Sequence, residues 1–177
     1  FGDIGLQYHG FIKSPAFLEP MNRPFNDLLI ADISGTIATG YAGKLFSDYG
    51  ARVVNIEPLE GFNTRRIRPI LNNGDSSLHG YLHANKESVR NFGELICHPA
   101  IIEADLVLLD PFLLPTYGDL SHIRANTCAI SWFGSDGPYS HYQASDEAIH
   151  ALTGLMLGIG EREGPPIIPK GYQAQIL

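Results

Sequence analysis

The sequence predicts an α/β protein of Rossmann-like type, an open parallel sheet with flanking helices. Three successive patterns predict it. Leu28-Leu29-Ile30-Ala31-Asp32-Ile33 is an unbroken apolar run, the signature of a strand buried on both faces of a parallel sheet. Ile37, Ala38, Tyr41, Ala42, Leu45, Phe46 and Tyr49 then recur at helical spacing, and Gly50 follows as a stop. Arg52-Val53-Val54-Asn55-Ile56 is a second strand, closed by Glu57-Pro58. Together they make a βαβ unit, whose crossover is right-handed.

Around this unit the remaining elements fall in order. Residues 1–24 hold Pro15, Pro20 and Pro24 with no clear period and read as an extended arm, leaving 25–177 as one domain. Residues 59–78, rich in Gly, Asn and Pro, read as a long loop of the kind that carries function. A helix is expected over Gly93–Glu103, a strand over Leu106–Leu109, a turn or short helix over Tyr117–Arg124, and a strand over Thr127–Trp132. Phe133–Tyr139 is a glycine-rich turn. A helix from Asp146 to Leu157, with Ile149, Leu152, Leu155 and Met156 on one stripe, ends before Gly164-Pro165-Pro166. Strands that alternate with helices mean a parallel sheet.

Composition narrows the function. The chain has 177 residues, 12 Lys+Arg against 19 Asp+Glu, and a net charge of −7, which argues against binding nucleic acid through its phosphates. Arg65, Arg66 and Arg68 form the one basic cluster, read as a solvated loop or a contact for a small phosphate-bearing ligand. Cys97 and Cys128 form no CxxC pair and suit a reducing cytoplasm, with Cys128 expected to be a small buried hydrophobe. The run Ala151–Gly160 stops at ten residues, short of a membrane span. The N-terminus shows no signal-peptide pattern, and the chain begins with Phe, as a processed or partial chain would.

The turn after the first strand is where an open parallel sheet receives its ligand. Ser34-Gly35-Thr36-Ile37-Ala38-Thr39-Gly40 is not GxGxxG, and Tyr41 stands where a P-loop needs Lys. Its small residues suit close packing of helix on sheet, or approach of a ligand to free N–H groups at Thr36 and Ile37. Glu57 occupies the place of a ribose-binding acid, so a nucleotide-dependent oxidoreductase is a third reading; a strand-end Glu facing solvent is the plain alternative. His79 and His83 have i, i+4 spacing, but Gly80 argues against a helix there and no HExxH completes a metal site. Asp146 and His150 lie one turn apart and read as a helical surface pair.

These segments resemble the family III CoA-transferases, the carnitine dehydratase and bile-acid-inducible protein F group. The family's opening strand, helix and second strand are matched by Asp32-Ile33-Ser34, by Ala38-Thr39-Gly40-Tyr41-Ala42 and by Tyr49–Pro58, with no gap between Asp32 and Glu57. Gly61-Phe62-Asn63-Thr64-Arg65 is similar to its Gly-Asp-x-Thr-Arg, and Asn85-Lys86-Glu87-Ser88 to its Asn-x-x-Lys-Arg-Ser motif. Ala104–Phe112 follows its Ala-Asp-Val-Leu-x-Glu-Asn-Phe, with Asp110 in place of the Asn. Ala129–Tyr139 follows its Ser-Ile-Ser-Gly-Phe-Gly-x-x-Gly-Pro-Tyr, and Asp146 and Gly164-Pro165-Pro166 complete the series.

The resemblance implies half of an interlocked dimeric fold, with coenzyme A bound at the carboxyl ends of the strands. It implies transfer of CoA between an acyl-CoA thioester and a carboxylic acid through an Asp nucleophile. Lys86 matches the Lys that meets the CoA phosphates, with Arg65, Thr36, Ile37, Asn85 and Asp110 as further contacts. The catalytic positions fall on Asp146 and Gln175, the latter by ungapped counting from Pro166, where an amide replaces the nucleophilic carboxylate. The expected partners are the acyl-CoA and acid substrates and a second copy or companion CoA-transferase chain, with neither nucleic acid nor membrane. A non-catalytic subunit that keeps the fold for assembly is the alternative function.

Overall fold

The computed structural model describes residues 23–91, 95–113, 115, 119–121, 123–161 and 163–176. Its strands are β1 (Leu29–Asp32), β2 (Arg52–Glu57), β3 (Glu87–Arg90), β4 (Leu106–Leu109) and β5 (Asn126–Ala129). They form one sheet in the order β3-β2-β1-β4-β5, with every pairing parallel. The described α-helices are α1 (Ile37–Asp48), α2 (Ser77–Leu82), α3 (Pro99–Ile102), α4 (Asp146–Leu152) and α5 (Gln173–Ile176). Among the described residues no helix is long and apolar enough to cross a membrane. The arm expected over 1–24 falls outside the described residues except for Arg23 and Pro24, as do residues 117, 118 and 122 of the turn expected over Tyr117–Arg124.

The expected βαβ unit is present, and the alternation of side chains along its strands divides the core in two. Ala31, Val54, Ile56, Val107 and Leu109 pack with Ile101 of α3 on one face. Ile30, Val53 and Leu108 pack on the other, against Ala42 and Phe46 of α1. Each fully buried aliphatic side chain here stabilises the fold by about 2 kcal/mol. Before β1, Phe25 docks on α1, its ring 5.4 Å from that of Phe46.

Several elements depart from their expected bounds, each for a local reason. The helix expected over Gly93–Glu103 is a 3-10 turn at Leu95–Cys97 and then α3, because His98 is extended and caps a helix that starts at Pro99. The helix expected to reach Leu157 ends at Leu152; Gly154 turns left-handed at φ 75° and a 3-10 turn follows. The strand expected over Thr127–Trp132 is Asn126–Ala129, an edge strand with all four residues exposed. Cys128 is therefore exposed rather than buried.

Three elements, α2, β3 and the one-turn α5, were not expected at all. Helix α2 runs through Gly80 because Ser76 caps it, accepting the His79 amide at 3.2 Å, and because His79 and Leu82 bury against the interior. Strand β3, Glu-Ser-Val-Arg, has no strand pattern of its own. It exists by pairing with β2, with Glu57 opposite Arg90, and carries an exposed Arg52–Glu87 pair at 2.8 Å.

Candidate functional site

In this strand order the chain moves outward from β1 to β3 and then returns to the other side of β1 at β4. The switch lies between β1 and β4, and ligands of open α/β sheets bind outside the carboxyl ends of the strands at such a point. The turn after β1 lies at that point. Asp32 is fully buried, and its Oδ1 accepts the amides of Ser34 and Gly35, both at 3.0 Å. Burial raises the Asp32 carboxyl above its ordinary value, against the opposing pull of Lys86. Gly35 sits at φ 55°, and a Cβ there would come within 2.0 Å of the Phe62 ring, so only glycine fits.

Thr36 then caps α1. Its Oγ1 accepts the Thr39 amide at 3.2 Å, and Thr39 Oγ1 accepts the Thr36 amide at 3.1 Å. The next two amides, of Ile37 and Ala38, have no hydrogen-bond acceptor among the described residues. Of the two residues, Ala38 lines the crevice, and it brings there a free donor at the positive end of the helix dipole. Across the switch, the Asp110 amide donates to Ser34 Oγ at 2.6 Å and ties the end of β4 to the turn after β1.

A cavity of about 580 Å³ is lined by Trp132, Asp146, Lys170 and Gln175, and two more open at the turn after β1. One of about 200 Å³ is lined by Thr36, Ala38, Asp110, Ile130, Trp132 and Gln175. The other, of about 280 Å³, is mainly apolar, with Ile33, Ile56, Phe62, Leu95 and Leu113 in its wall. Three of the expected site residues, Thr36, Asp110 and Gln175, thus share one cavity. Asp146 stands behind Gln175, its Oδ2 accepting Gln175 Nε2 at 2.6 Å and its Oδ1 accepting the Ala174 amide at 2.7 Å. Asp146 and His150 are both buried, so they are not a surface pair. The cavity residues Ala38, Ile130 and Trp132 were not singled out by the sequence; only their place at a helix start and beyond a strand end could have marked them.

The expected phosphate contacts lie elsewhere. Arg65 grips Glu57, with Nε 2.6 Å from Oε2 and Nη2 2.5 Å from Oε1, and Glu57 also accepts the Ser88 hydroxyl and the Phe62 amide. Burial by itself would raise the Glu57 carboxyl; the Arg65, Ser88 and Phe62 donors outweigh it and hold the group at about 2. Glu57 is therefore neither solvent-facing nor free to hold a ribose. Lys86 is drawn under α1, where Nζ donates to the Gly40 carbonyl at 2.7 Å and lies 3.4 Å from His83 Nδ1. Burial lowers Lys86 to about 8. Asn85 takes the left-handed turn before β3 at φ 64°, and the Ile37 side chain is buried. None of Arg65, Asn85, Lys86 or Ile37 lines any of these cavities.

His79 and His83 stack at 4.3 Å beside Lys86, with Thr64 Oγ1 2.9 Å from His79 Nδ1 and 3.4 Å from His83 Nε2. Burial lowers both rings, His79 to about 4 and His83 to about 2, so they are neutral parts of the interior. The small residues of α1 serve this packing: a Cβ on Gly43 would come 2.9 Å from Lys86 Nζ, and one on Gly40 would come 3.3 Å from the His83 ring. Among the described residues no group of three or more His, Cys, Asp or Glu could hold a metal ion.

The sequence and the fold have relatives among known proteins. The chain is 30% identical over 158 residues to the acetyl-CoA:oxalate CoA-transferase of Acetobacter aceti, covering 81% of this chain and 40% of that one. It is 24% identical over 189 residues to the succinyl-CoA–L-malate CoA-transferase alpha subunit of Chloroflexus aurantiacus, covering 91% of this chain and 43% of the subunit. The crystal structure of a CAIB/BAIF family protein from Brucella suis superposes with a TM-score of 0.75 at 26% identity, over 88% of this chain and 46% of that one. The chain thus spans about two-fifths of the length of these relatives. The model of CoA-transferase family III matches residues 25–90 and 124–176, and on that match over most of its length the chain belongs to CoA-transferase family III.

Proposed function

We propose that this chain forms the Rossmann-like, thioester-facing part of an enzyme that moves CoA between an acyl-CoA and a carboxylic acid. The observation that carries the reading is the 200 Å³ cavity at the β1–β4 switch, where Ala38, with its unpaired amide, meets Thr36, Asp110 and Gln175. That amide suits the negative charge that develops on a thioester oxygen under attack. The apolar 280 Å³ cavity beside it suits the arm of CoA or the acyl group. Asp146 positions Gln175 by its short hydrogen bond. Phosphate binding rests on the exposed third of the Arg65 side chain, or on a partner chain, because Lys86 is internal.

A second reading, a non-catalytic subunit that keeps the fold for assembly, is favoured by one observation: an amide, Gln175, at the nucleophile position. Either reading brings a second copy or companion chain onto the exposed β5–α4 side, in a reducing cytoplasm. Calorimetry with acetyl-CoA tests the site. Saturable heat that disappears when Ala38→Trp fills the cavity, with the melting temperature unchanged, supports CoA binding there; heat that survives the plug sinks it. Exchange between acetyl-CoA and oxalate then separates enzyme from assembly subunit.

A further inference from the structure

We propose that Asp110 is the nucleophile of this chain, a carboxylate in the wall of the same cavity as the amide at position 175. This rests on the CoA-transfer reading above. A thioester is opened to a covalent enzyme intermediate only by a group that carries a reactive lone pair, and the Gln175 carboxamide has none to compare with a carboxylate. Asp146 is no substitute. It is buried, both its oxygens are engaged by the Ala174 amide and Gln175, and it does not line the cavity that holds Thr36 and Ala38.

Asp110 meets each requirement. It stands just past the carboxyl end of β4, half-buried, in the wall of the same cavity as Ala38. Its Oδ1 accepts the Phe112 amide at 2.9 Å, which fixes the carboxylate plane, while Oδ2 has no hydrogen-bond partner among the described residues. Its backbone is anchored to Ser34 at the turn that leads into α1. Partial burial raises the carboxyl above its ordinary value, the direction that makes its anion a better nucleophile.

The chemistry balances within these groups. Asp110 Oδ2 attacks the thioester carbon, a C–O bond forms, the C–S bond breaks, and CoA leaves as the thiolate with the electron pair. The thiolate then attacks Cγ of Asp110 and expels the acyl group as its free carboxylate, leaving CoA joined to Asp110. The acceptor carboxylate attacks that Cγ and releases the thiolate. The thiolate takes the new acyl group, and the Asp110 carboxylate returns. No proton, oxidant or further reactant is consumed.

The test uses the protein as purified, with any companion chain, acetyl-CoA as donor and oxalate as acceptor. Borohydride reduces a CoA thioester on a carboxyl group to an alcohol, which peptide mass spectrometry locates. The expected result is an alcohol at Asp110, and an Asp110→Asn variant with unchanged melting temperature whose exchange falls about a thousandfold or more. Gln175→Asp added to that variant restores exchange and moves the label to position 175. Exchange that persists in Asp110→Asn, or a label at Asp146, overturns the role of Asp110 while CoA transfer stands. Binding of acetyl-CoA without exchange overturns it in favour of the assembly subunit, and no binding overturns the CoA reading itself.

Discussion

The two sides of the sheet are built to different standards. On the β3-β2-β1 side, five of the six residues of β2 are buried, and a polar interior of Glu57, Arg65, Thr64, His79, His83 and Lys86 is closed by its own hydrogen bonds. On the β4-β5 side, every residue of β5 is exposed, and Leu152 and Leu157 are 72% and 90% exposed. The difference teaches that one side carries its own stability, whereas the other presents apolar surface of the kind that marks an interaction site. Candidate chemistry lies on the seam between them.

Acid should break the first side most completely. His79 and His83 are held at about 4 and about 2, below the ordinary 6.5, so the unfolded chain takes up protons that the folded chain refuses. Their stabilisation is full above pH 6.5 and is lost as pH falls toward 4 and beyond. Glu57, held at about 2 against 4.5, adds a loss below pH 4.5. The melting temperature, followed by circular dichroism, should fall steeply from pH 7 to pH 4; a flat profile between 7 and 5 contradicts the neutral buried pair.

Arg65→Met comes next, with a loss of about 4 kcal/mol, because it strands Glu57 in the interior without its counter-charge. Denaturant unfolding at pH 7 checks it, and a change below about 1 kcal/mol would mean that the pair contributes little. Gly35→Ala should cost about 3 kcal/mol, from the left-handed backbone and the Phe62 ring in its way, and a smaller companion change, Phe62→Leu, should recover part of it. Leu157→Asp, on the open side, should shift stability by less than about 0.5 kcal/mol. Its effect should appear in light scattering as weaker assembly; an unchanged oligomer would show that the exposed leucines are not what a partner covers.

Much of the closed side was legible in the sequence, and the reason is locality. The run Leu28–Ile33 and the helical spacing of Ile37–Tyr49 are periods that hydrophobic burial imposes on neighbouring residues, so they reveal β1, α1 and β2 without any distant partner. Helix α2 and strand β3 were not legible. Gly80 and the charged Glu87 and Arg90 oppose those elements locally, and the Ser76 cap and the parallel pairing with β2 override them. Of the candidate site, the turn at Ser34–Thr36 was legible because its place after the first strand already defines it.

Local spacing therefore determined the sheet class, the turn after the first strand and the family pattern that runs through both. Only the tertiary structure decided where the charges act. Arg65 finds Glu57 eight residues away, Lys86 finds the Gly40 carbonyl forty-six away, and Gln175 finds Asp146 twenty-nine away. A cation that matches a motif is drawn inward where a buried carboxylate attracts it, as Asp32 does Lys86 and Glu57 does Arg65, and no reading of neighbours along the chain contains that requirement.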